Sequence, residues 1–247
     1  MFYEVRPILA GEFGPVFDSV KFRDGDITKA EMVPSYVYHV KSERREVLVD
    51  TSFTSAEKCT ELLGLKCLRQ GSFLDLLRKN GVDPEKIDTI IYTHLHWDHA
   101  GNGRLFPNAR IICQEDEIAP ALAPPEWEQG YSRVFASDIA DVIERVEPVS
   151  GDTVIDSGLE VVQIGGHTRG SQAIVVDTIK GKVVITGDTV MTTENIERNV
   201  PIGLFVHLDE CTASLKWLRQ YDAAIIYPGH CWRAIKQVRQ NNEEERS

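Results

Sequence analysis

Three histidines and one aspartate lie within six consecutive positions, and this cluster constrains the fold more than any other stretch. Residues 93–101 read Thr-His-Leu-His-Trp-Asp-His-Ala-Gly, directly after an apolar run at 89–92 that predicts a short buried strand. Imidazole nitrogens and carboxylate oxygens suit zinc and related cations. A tight loop lets such side chains converge. The sequence therefore predicts a metal-binding loop, rather than a polar surface turn, with the candidate ligands His94, His96, Asp98 and His99.

The H-x-H-x-D-H pattern resembles the metallo-β-lactamase superfamily of hydrolases, which takes further metal ligands from three later strand ends. The chain has a matching residue at each of these places. Each match is a single polar residue beside glycine that follows an apolar run: His167, Asp188 and His230. The matches keep the order of the family and span most of the chain, which is therefore identified as a member of that superfamily.

The length and composition are those of one large globular domain. With 247 residues, of which 42% are hydrophobic and 26% charged, the chain can bury a substantial core. A net charge of -11 argues against nucleic acid and anionic membranes as partners. No apolar run approaches the roughly 18 residues of a membrane helix, and residues 1–7 lack the apolar core of a signal peptide.

The five cysteines favour a reduced, cytoplasmic protein, because their number is odd and no close C-x-x-C pair occurs. Cys231 adjoins His230 and offers a thiolate as an alternative ligand. We interpret it instead as a buried neighbour, since histidines and carboxylates already fill the predicted site. The oligomeric state stays open, with a homodimer as one option.

The N-terminal part of the chain predicts a strand, a loop and a hairpin. Residues 2–10 predict the strand. Residues 11–17 predict an apolar loop whose phenylalanines either line a substrate pocket or attach the loop to the core. Residues 35–40 and 46–50 predict a hairpin across a charged turn, with His39 as a structural residue.

A helical insertion is predicted near residues 114–148, after a helix capped by Ser72 and a strand at 110–113. The insertion combines prolines and charges with the aromatic residues Trp127, Tyr131 and Phe135. These aromatic side chains either form a wall of the active site or belong to the core of a solvated helix pair.

The second half of the chain predicts four more strands, near 159–164, 173–177, 183–187 and 223–227. A helix is predicted at 209–220 with Asp209 as its N-cap. No linker divides the chain, so residues 1–247 are predicted to form a single domain. The order of the elements fits the α/β (α+β) class and the metallo-β-lactamase fold, an αββα sandwich of two mixed β-sheets flanked by helices.

The resemblance implies a centre of two divalent metal ions with seven ligands. One ion would be held by His94, His96 and His167, the second by Asp98, His99 and His230, and Asp188 would bridge them. Zinc is the expected metal, with manganese, iron or cobalt as alternatives. The implied chemistry is attack by a metal-bound hydroxide, with Asp98 as the catalytic proton shuttle. A closed structural site would favour cysteine ligands, which these positions lack.

The residue at the bridging position narrows the set of candidate functions, because a carboxylate there is typical of lactonases, glyoxalase II-type thioesterases and phosphodiesterases. Flavodiiron electron-transfer relatives carry glutamate in place of His96. Glyoxalase II-type enzymes carry a sizeable helical domain after the bridging aspartate, and we expect the chain beyond Asp188 to be too short for one. The overall length and the sequence after Asp188 most resemble the N-acyl homoserine lactonases.

This resemblance predicts a quorum-quenching lactonase that acts on a small-molecule lactone or ester. One residue departs from the pattern, since Met191 stands where many of these enzymes have a tyrosine that hydrogen-bonds the lactone. Either Tyr36, Tyr131 or another donor replaces that hydroxyl, or the substrate is a different lactone or ester. The alternatives are a glyoxalase II-like thioesterase and a metal-binding or redox protein without hydrolase activity.

Overall fold

Two β-sheets lie face to face, with helices against their outer faces. The computed structural model describes residues 1–126, 139–140, 142–221 and 224–233. The strands are β1 (Glu4–Phe17), β2 (Ala30–Lys41), β3 (Glu46–Val49), β4 (Lys66–Leu68), β5 (Thr89–Ile91), β6 (Arg110–Gln114), β7 (Val146–Val149), β8 (Thr153–Asp156), β9 (Leu159–Gln163), β10 (Gln172–Thr178), β11 (Gly181–Ile185) and β12 (Ile225–Tyr227). The α-helices are α1 (Asp18–Lys21), α2 (Ala56–Leu63), α3 (Phe73–Lys79), α4 (Ile118–Leu122), α5 (Thr193–Arg198) and α6 (Leu208–Leu218). Short 3-10 helices lie at Pro84–Lys86, Gly103–Leu105, Glu115–Glu117, Gly187–Thr189 and Arg219–Tyr221.

Both sheets mix parallel and antiparallel pairs. The first contains seven strands in the order β4-β1-β2-β3-β5-β6-β7. Its strands from β3 to β7 pair in parallel, whereas β4, β1, β2 and β3 pair antiparallel. The second sheet contains five strands in the order β12-β11-β10-β9-β8, with a parallel pair formed by β11 and β12. The predicted sandwich of two mixed sheets is therefore confirmed.

Three apolar layers hold the sandwich together. Ile91 of β5 and Val161 of β9 belong to the layer between the sheets. The neighbouring Ile90 points to the opposite face, because side chains alternate along a strand, and it packs with Leu77 of α3. Leu215 of α6 belongs to the layer that covers the outer face of the second sheet. Burial of these layers supplies the main stabilisation of the fold.

Strand direction brings the candidate ligands to one edge of each sheet. Because β3 and β5 are parallel, Asp50 and the loop 93–101 leave the first sheet at the same edge. In the second sheet β9, β11 and β12 all run in one direction. The segments that follow them carry His167, Asp188 and His230, so these residues also meet at one edge.

Two predictions about local structure are wrong. Residues 11–17 do not form a loop, because β1 continues through them and pairs with β2 on one side and β4 on the other. This pairing overrides the glycines and the proline of the segment. Asp209 does not cap the following helix, since α6 has His207 at its N-cap position and Asp209 in its first turn, where a carboxylate still complements the helix dipole.

Other predicted elements appear as expected. Ser72 caps α3 by accepting a hydrogen bond from the backbone N–H of Asp75. The hairpin of β2 and β3 is present, and His39 contacts Glu46 across it at 3.2 Å. Within the described ranges, no helix has both the length and the apolar character that a membrane span needs.

The described ends of the predicted insertion are helical. The 3-10 helix Glu115–Glu117 and α4 follow β6, and the helical residues 139–140 and 142–143 precede β7. The three aromatic residues that the sequence placed there lie outside the described residues: Trp127, Tyr131 and Phe135. Their predicted role as a wall of the site stays a prediction.

Candidate metal centre

All seven predicted ligands lie close together. They form two adjoining clusters where the ligand-bearing edges of the two sheets meet. The first cluster contains His94, His96 and His167, and the second contains Asp98, His99, Asp188 and His230. Within each cluster, one ligand atom per residue lies within 4.8 Å of every other. The grouping of the three histidines matches the set expected for one cation, and the second cluster matches the set expected for the other.

The loop after β5 folds so that its polar side chains converge. The backbone N–H groups of His99 and Ala100 both donate to the carbonyl of His96, which curls the chain into a tight turn. The segment after β3 fixes this turn from outside, because the N–H of Thr51 donates to the carbonyl of His99 at 2.6 Å. The convergence predicted for a tight loop is therefore present.

The ring nitrogens of the histidines are oriented as in metal sites. The Nδ1 atoms of His167 and His230 donate to the carbonyls of Leu204 and Pro34, at 2.9 and 2.8 Å. These hydrogen bonds turn both Nε2 atoms towards the clusters. Metal-bound histidines typically have such a partner on the ring nitrogen remote from the metal.

Buried polar atoms without hydrogen bonds provide a test of whether cations fit. The Nε2 atoms of His94 and His99 and Oδ1 of Asp188 are buried, and none of the three has hydrogen-bond geometry to another described atom, although Nε2 of His99 and Oδ1 of Asp188 lie 3.1 Å apart. Buried polar groups are normally satisfied, so these atoms are suited to a ligand. The residues present therefore fit a pair of divalent cations.

Asp188 lies between the two clusters. Its Oδ1 is 3.1 Å from Nε2 of His99, and its Oδ2 is 3.0 Å from Nε2 of His230. The same Oδ2 is 3.6 Å from Nε2 of His167 in the first cluster. A carboxylate that reaches both clusters is what the predicted bridging role requires.

Burial and neighbouring charge shift the pKa values of the clusters in opposite directions. Burial and the surrounding imidazoles hold the pKa of His94 well below its usual range and lower that of His167 to about 4. Burial also acts to lower the pKa of His230, but Asp188 and Asp98 outweigh it and raise that pKa to about 10. The carboxylates of the second cluster therefore favour protonation of His230, so a cation that binds there competes with a proton.

Three supporting carboxylates were not among the predicted site residues. Asp50 accepts hydrogen bonds from the N–H and hydroxyl of Thr93, each at 2.8 Å, and from Nδ1 of His99. Glu117 accepts from the N–H of Leu95 at 2.9 Å and from that of Gly170 at 2.8 Å. The signal for Asp50 was its position directly after the apolar run of β3.

Glu210 is the third supporting carboxylate. It accepts a hydrogen bond from the backbone N–H of Gly166 at 2.8 Å, beside His167. Gly166 has a φ of +91°, and a Cβ atom there would lie 2.6 Å from Sγ of Cys211. Gly229 is equally constrained, since a Cβ atom would lie 2.2 Å from Oδ1 of Asp188. Glycine beside His167 and His230 therefore permits the close approach of these loops to their neighbours.

Cys231 lies outside both clusters, as expected. It is buried, and its Sγ donates to Oγ1 of Thr193 at 3.8 Å. The five cysteines are free thiols and all are buried.

An apolar cavity of about 210 Å³ opens onto the clusters. Phe13 and Phe17 line it, which agrees with the pocket interpretation of residues 11–17. Met191 lines it too. Tyr36 packs between the sheets with Tyr38, at a ring distance of 6.2 Å, and no tyrosine is among the described residues that line the cavity. Tyr36 is therefore not placed to offer its hydroxyl to a molecule in this cavity.

Comparison with known proteins agrees with this geometry. Residues 30–230 match the family model of the Metallo-beta-lactamase superfamily. An N-acyl homoserine lactonase from Bacillus sp is 28% identical over 220 residues, which cover 83% of this chain and 84% of the relative. The N-acyl homoserine lactonase AiiA from Bacillus thuringiensis subsp. kurstaki is 28% identical over 212 residues, which cover 80% of this chain and 81% of that protein.

Solved structures show the same fold. A crystal structure of a B. thuringiensis AiiA mutant, with N-decanoyl-L-homoserine bound at the active site, superposes with a TM-score of 0.82 at 25% identity, covering 96% of this chain and 97% of that chain. A quorum-quenching N-acyl homoserine lactone lactonase superposes with a TM-score of 0.80 at 26% identity, covering 94% of both chains. These matches confirm the predicted family, fold and hydrolase class. The chain belongs to the Metallo-beta-lactamase superfamily.

Proposed function

We propose that this protein is a lactonase that opens N-acyl homoserine lactones, or similar cyclic esters, by cleaving the acyl–oxygen bond. The observation that carries the proposal is the position of the apolar cavity, which opens directly onto the seven-residue centre. An ester with an apolar acyl group would place its carbonyl at the centre and its chain against Phe13 and Phe17. Such pockets commonly combine apolar walls with a few polar groups.

The residues of the centre would divide between two cations. His94, His96 and His167 would hold one, Asp98, His99 and His230 the other, with Asp188 shared between them. Zinc is the first candidate, since imidazole and carboxylate ligands suit it, and manganese, iron and cobalt accept the same ligands. When bound, the two cations would polarise the ester carbonyl, acidify a shared water and stabilise the departing oxygen.

Asp98 would move the proton. It lines the cavity, and its Oδ2 is 3.3 Å from Nε2 of His230. Burial raises the pKa of Asp98, but His99 and His230 outweigh burial and lower it, so the carboxylate is ionised and able to accept a proton. Asp98 would accept the proton released during attack and pass it to the departing ring oxygen.

Asp188 and its neighbours would keep the centre in place. Its carboxylate contacts His99 and His230 at 3.1 and 3.0 Å, and it is 4% exposed. A buried carboxylate in contact with both clusters would hold them in position relative to each other. An oxygen leaving group would then depart towards a fixed site, which suits a lactone.

Relatives support the substrate class. The similar proteins named above are N-acyl homoserine lactonases, and one solved relative has N-decanoyl-L-homoserine at its active site. Met191 indicates a difference in how the substrate is bound, because its thioether provides no hydrogen-bond donor to a lactone. We therefore expect lactone turnover without the tyrosine hydrogen bond, and a glyoxalase II-like thioesterase is the competing function.

The test compares second-order rate constants. Purified protein loaded with zinc, and separately with manganese, is assayed with N-decanoyl and N-butanoyl homoserine lactones, S-lactoylglutathione and a phosphodiester. The expected result is a higher kcat/KM for at least one acyl homoserine lactone than for S-lactoylglutathione. A ratio below one for both lactones, with both cations bound, would place the thioesterase function first.

A further inference from the structure

Lys21 borders both the apolar cavity and a second, charged cavity. The second cavity has a volume of about 530 Å³ and is lined by charged residues that include Asp24, Asp26 and Lys29. Among the described lining residues, Lys21 of α1 is the one that borders both cavities. Its backbone carbonyl is also fixed, since Nδ2 of Asn195 donates to it at 2.8 Å.

The ammonium group of Lys21 is held on the side of the second cavity. The residue is 4% exposed, which is unusual for lysine. Its Nζ lies 2.9 Å from Oδ1 of Asp18 and donates to Glu31, and both carboxylates line the second cavity but not the apolar one. The methylene stem of Lys21 therefore supplies the contact with the apolar cavity, as in other lysines that bury their stem.

Charge argues against recognition of an anionic substrate tail by Lys21. One ammonium faces two carboxylates, so the local net charge is negative. Burial acts to lower the pKa of Lys21, but hydrogen bonds to Glu31 and Asp18 outweigh burial and raise it, which keeps the ion pairs intact at neutral pH. The side chains on the apolar side include Val16, Phe17 and Val20, which suit a hydrocarbon chain.

We propose that Lys21 is a specificity-determining residue, whose stem, pinned by Asp18 and Glu31, forms the end wall of the acyl pocket and limits the length of the acyl chain. This inference rests on the proposed lactonase function. A short acyl chain fits within the apolar cavity. A long chain must displace the stem of Lys21 and separate its ion pairs to reach the second cavity.

The test measures chain-length preference in matched variants. The kcat/KM ratio of N-decanoyl to N-butanoyl homoserine lactone is determined for the wild type and for Lys21→Ala, Lys21→Met and Lys29→Ala. Lys21→Ala removes the wall, and we expect the ratio to rise about tenfold, as for small changes in other apolar pockets. Lys21→Met keeps a stem of similar length but loses the ion pairs that hold it, so its ratio should lie between those of the wild type and Lys21→Ala. Lys29→Ala alters only the second cavity and should keep the wild-type ratio.

Binding gives a second readout that does not depend on turnover. Calorimetry with the ring-opened N-decanoyl and N-butanoyl homoserines should show the same shift towards the long chain in Lys21→Ala. Thermal unfolding confirms that each variant is folded, and Lys21→Val replaces Lys21→Ala if the alanine variant does not fold.

The outcomes separate this inference from the proposed function. If the wild type hydrolyses no lactone, the proposed function fails, and the binding ratios alone decide whether Lys21 forms the wall. An unchanged ratio in Lys21→Ala, or an equal rise in Lys29→Ala, would overturn the inference. The absence of binding of both probes to every variant would overturn it as well.

Discussion

Oδ2 of Asp50 lies 2.8 Å from Nδ1 of His99, and this contact joins the end of β3 to the metal loop after β5. The same carboxylate accepts two hydrogen bonds from Thr93. Asp50 is 1% exposed and has a φ of 58°, an unusual value for a residue other than glycine. Its carboxylate therefore orients His99 and fixes the start of the loop at once.

Replacement of Asp50 by asparagine should weaken metal binding without unfolding the protein. The amide keeps the shape of the side chain but loses the charge that orients the imidazole of His99. Loss of such a partner typically lowers metal affinity about 10- to 100-fold. Titration with zinc against a competing chelator measures the effect, and Asp209→Asn, at an exposed position of α6, is the matched control. Equal affinities for both variants would show that Asp50 only shapes the loop.

Removal of the cations should lower the thermal stability. The seven ligands come from the ends of strands in both sheets, so a bound pair of cations ties the sandwich together. A cation at a hundred times its Kd adds about 2.7 kcal/mol, which corresponds to about 5 to 10 °C in Tm for a chain of this size. Calorimetry with and without chelator measures the shift in Tm. Elemental analysis should give two metals per chain. One metal or fewer after addition of zinc or manganese would contradict the dinuclear centre.

Asp98→Asn should reduce turnover far more than substrate affinity. The amide cannot accept the proton that the carboxylate would carry, and a general acid–base role is worth about a hundred- to ten-thousand-fold in rate. Steady-state kinetics gives kcat and KM, and the metal content of the variant is the control. A variant with both metals and near-normal kcat would limit Asp98 to the role of a ligand.

Met191→Tyr should raise activity on acyl homoserine lactones. Met191 lines the cavity beside the centre, and a phenol there would offer the hydrogen bond that the thioether does not. A hydrogen bond of this kind is worth about 0.5 to 1.5 kcal/mol, or up to about tenfold in kcat/KM. Measurement with one lactone and one thioester separates a specific gain from a general one. A lower Tm with lower activity would instead indicate that the larger ring overfills the site.

Gly166→Ala should destabilise the protein more than Gly71→Ala. Both glycines have left-handed backbone conformations, with φ of +91° and +76°. A Cβ atom at Gly71 meets nothing within 4 Å, whereas at Gly166 it would meet Sγ of Cys211 at 2.6 Å. We expect a loss of about 1 to 2 kcal/mol at Gly71 from the backbone conformation alone. Overpacking should add about 1 to 3 kcal/mol at Gly166. Urea unfolding of both variants measures the difference, and similar values would mean that the loop next to His167 relaxes.

The candidate ligands could be proposed from the sequence because each carries a local signal. His167, Asp188 and His230 each follow an apolar run and adjoin glycine, and strand direction then brings them to one edge. The packing of two mixed sheets face to face was predicted from the family resemblance, whereas the order of strands within each sheet was not predicted. Periodicity alone does not specify which strands pair.

The remaining features depend on contacts between distant parts of the chain. Residues 11–17 contain glycines and a proline that indicate a loop, yet pairing with β2 and β4 makes them strand. Asp50 is a single carboxylate at a strand end. Its role depends on contacts with Thr93 and His99, which come from a distant part of the sequence. No sequence pattern marks Lys21, because its proposed role depends on two cavities that both border its side chain.

Part of the cavity wall comes from a segment of the chain that carries no candidate ligand. The ligands lie between His94 and His230, whereas Phe13, Phe17 and Lys21 belong to β1 and α1. Substitutions at Phe17 and Lys21 alter the shape of the pocket without removing a candidate ligand, whereas Phe13 also packs against the ring of His230 at 5.2 Å. The architecture thus allows substrate range to diverge among descendants of one ancestral hydrolase while the reactive centre is inherited intact.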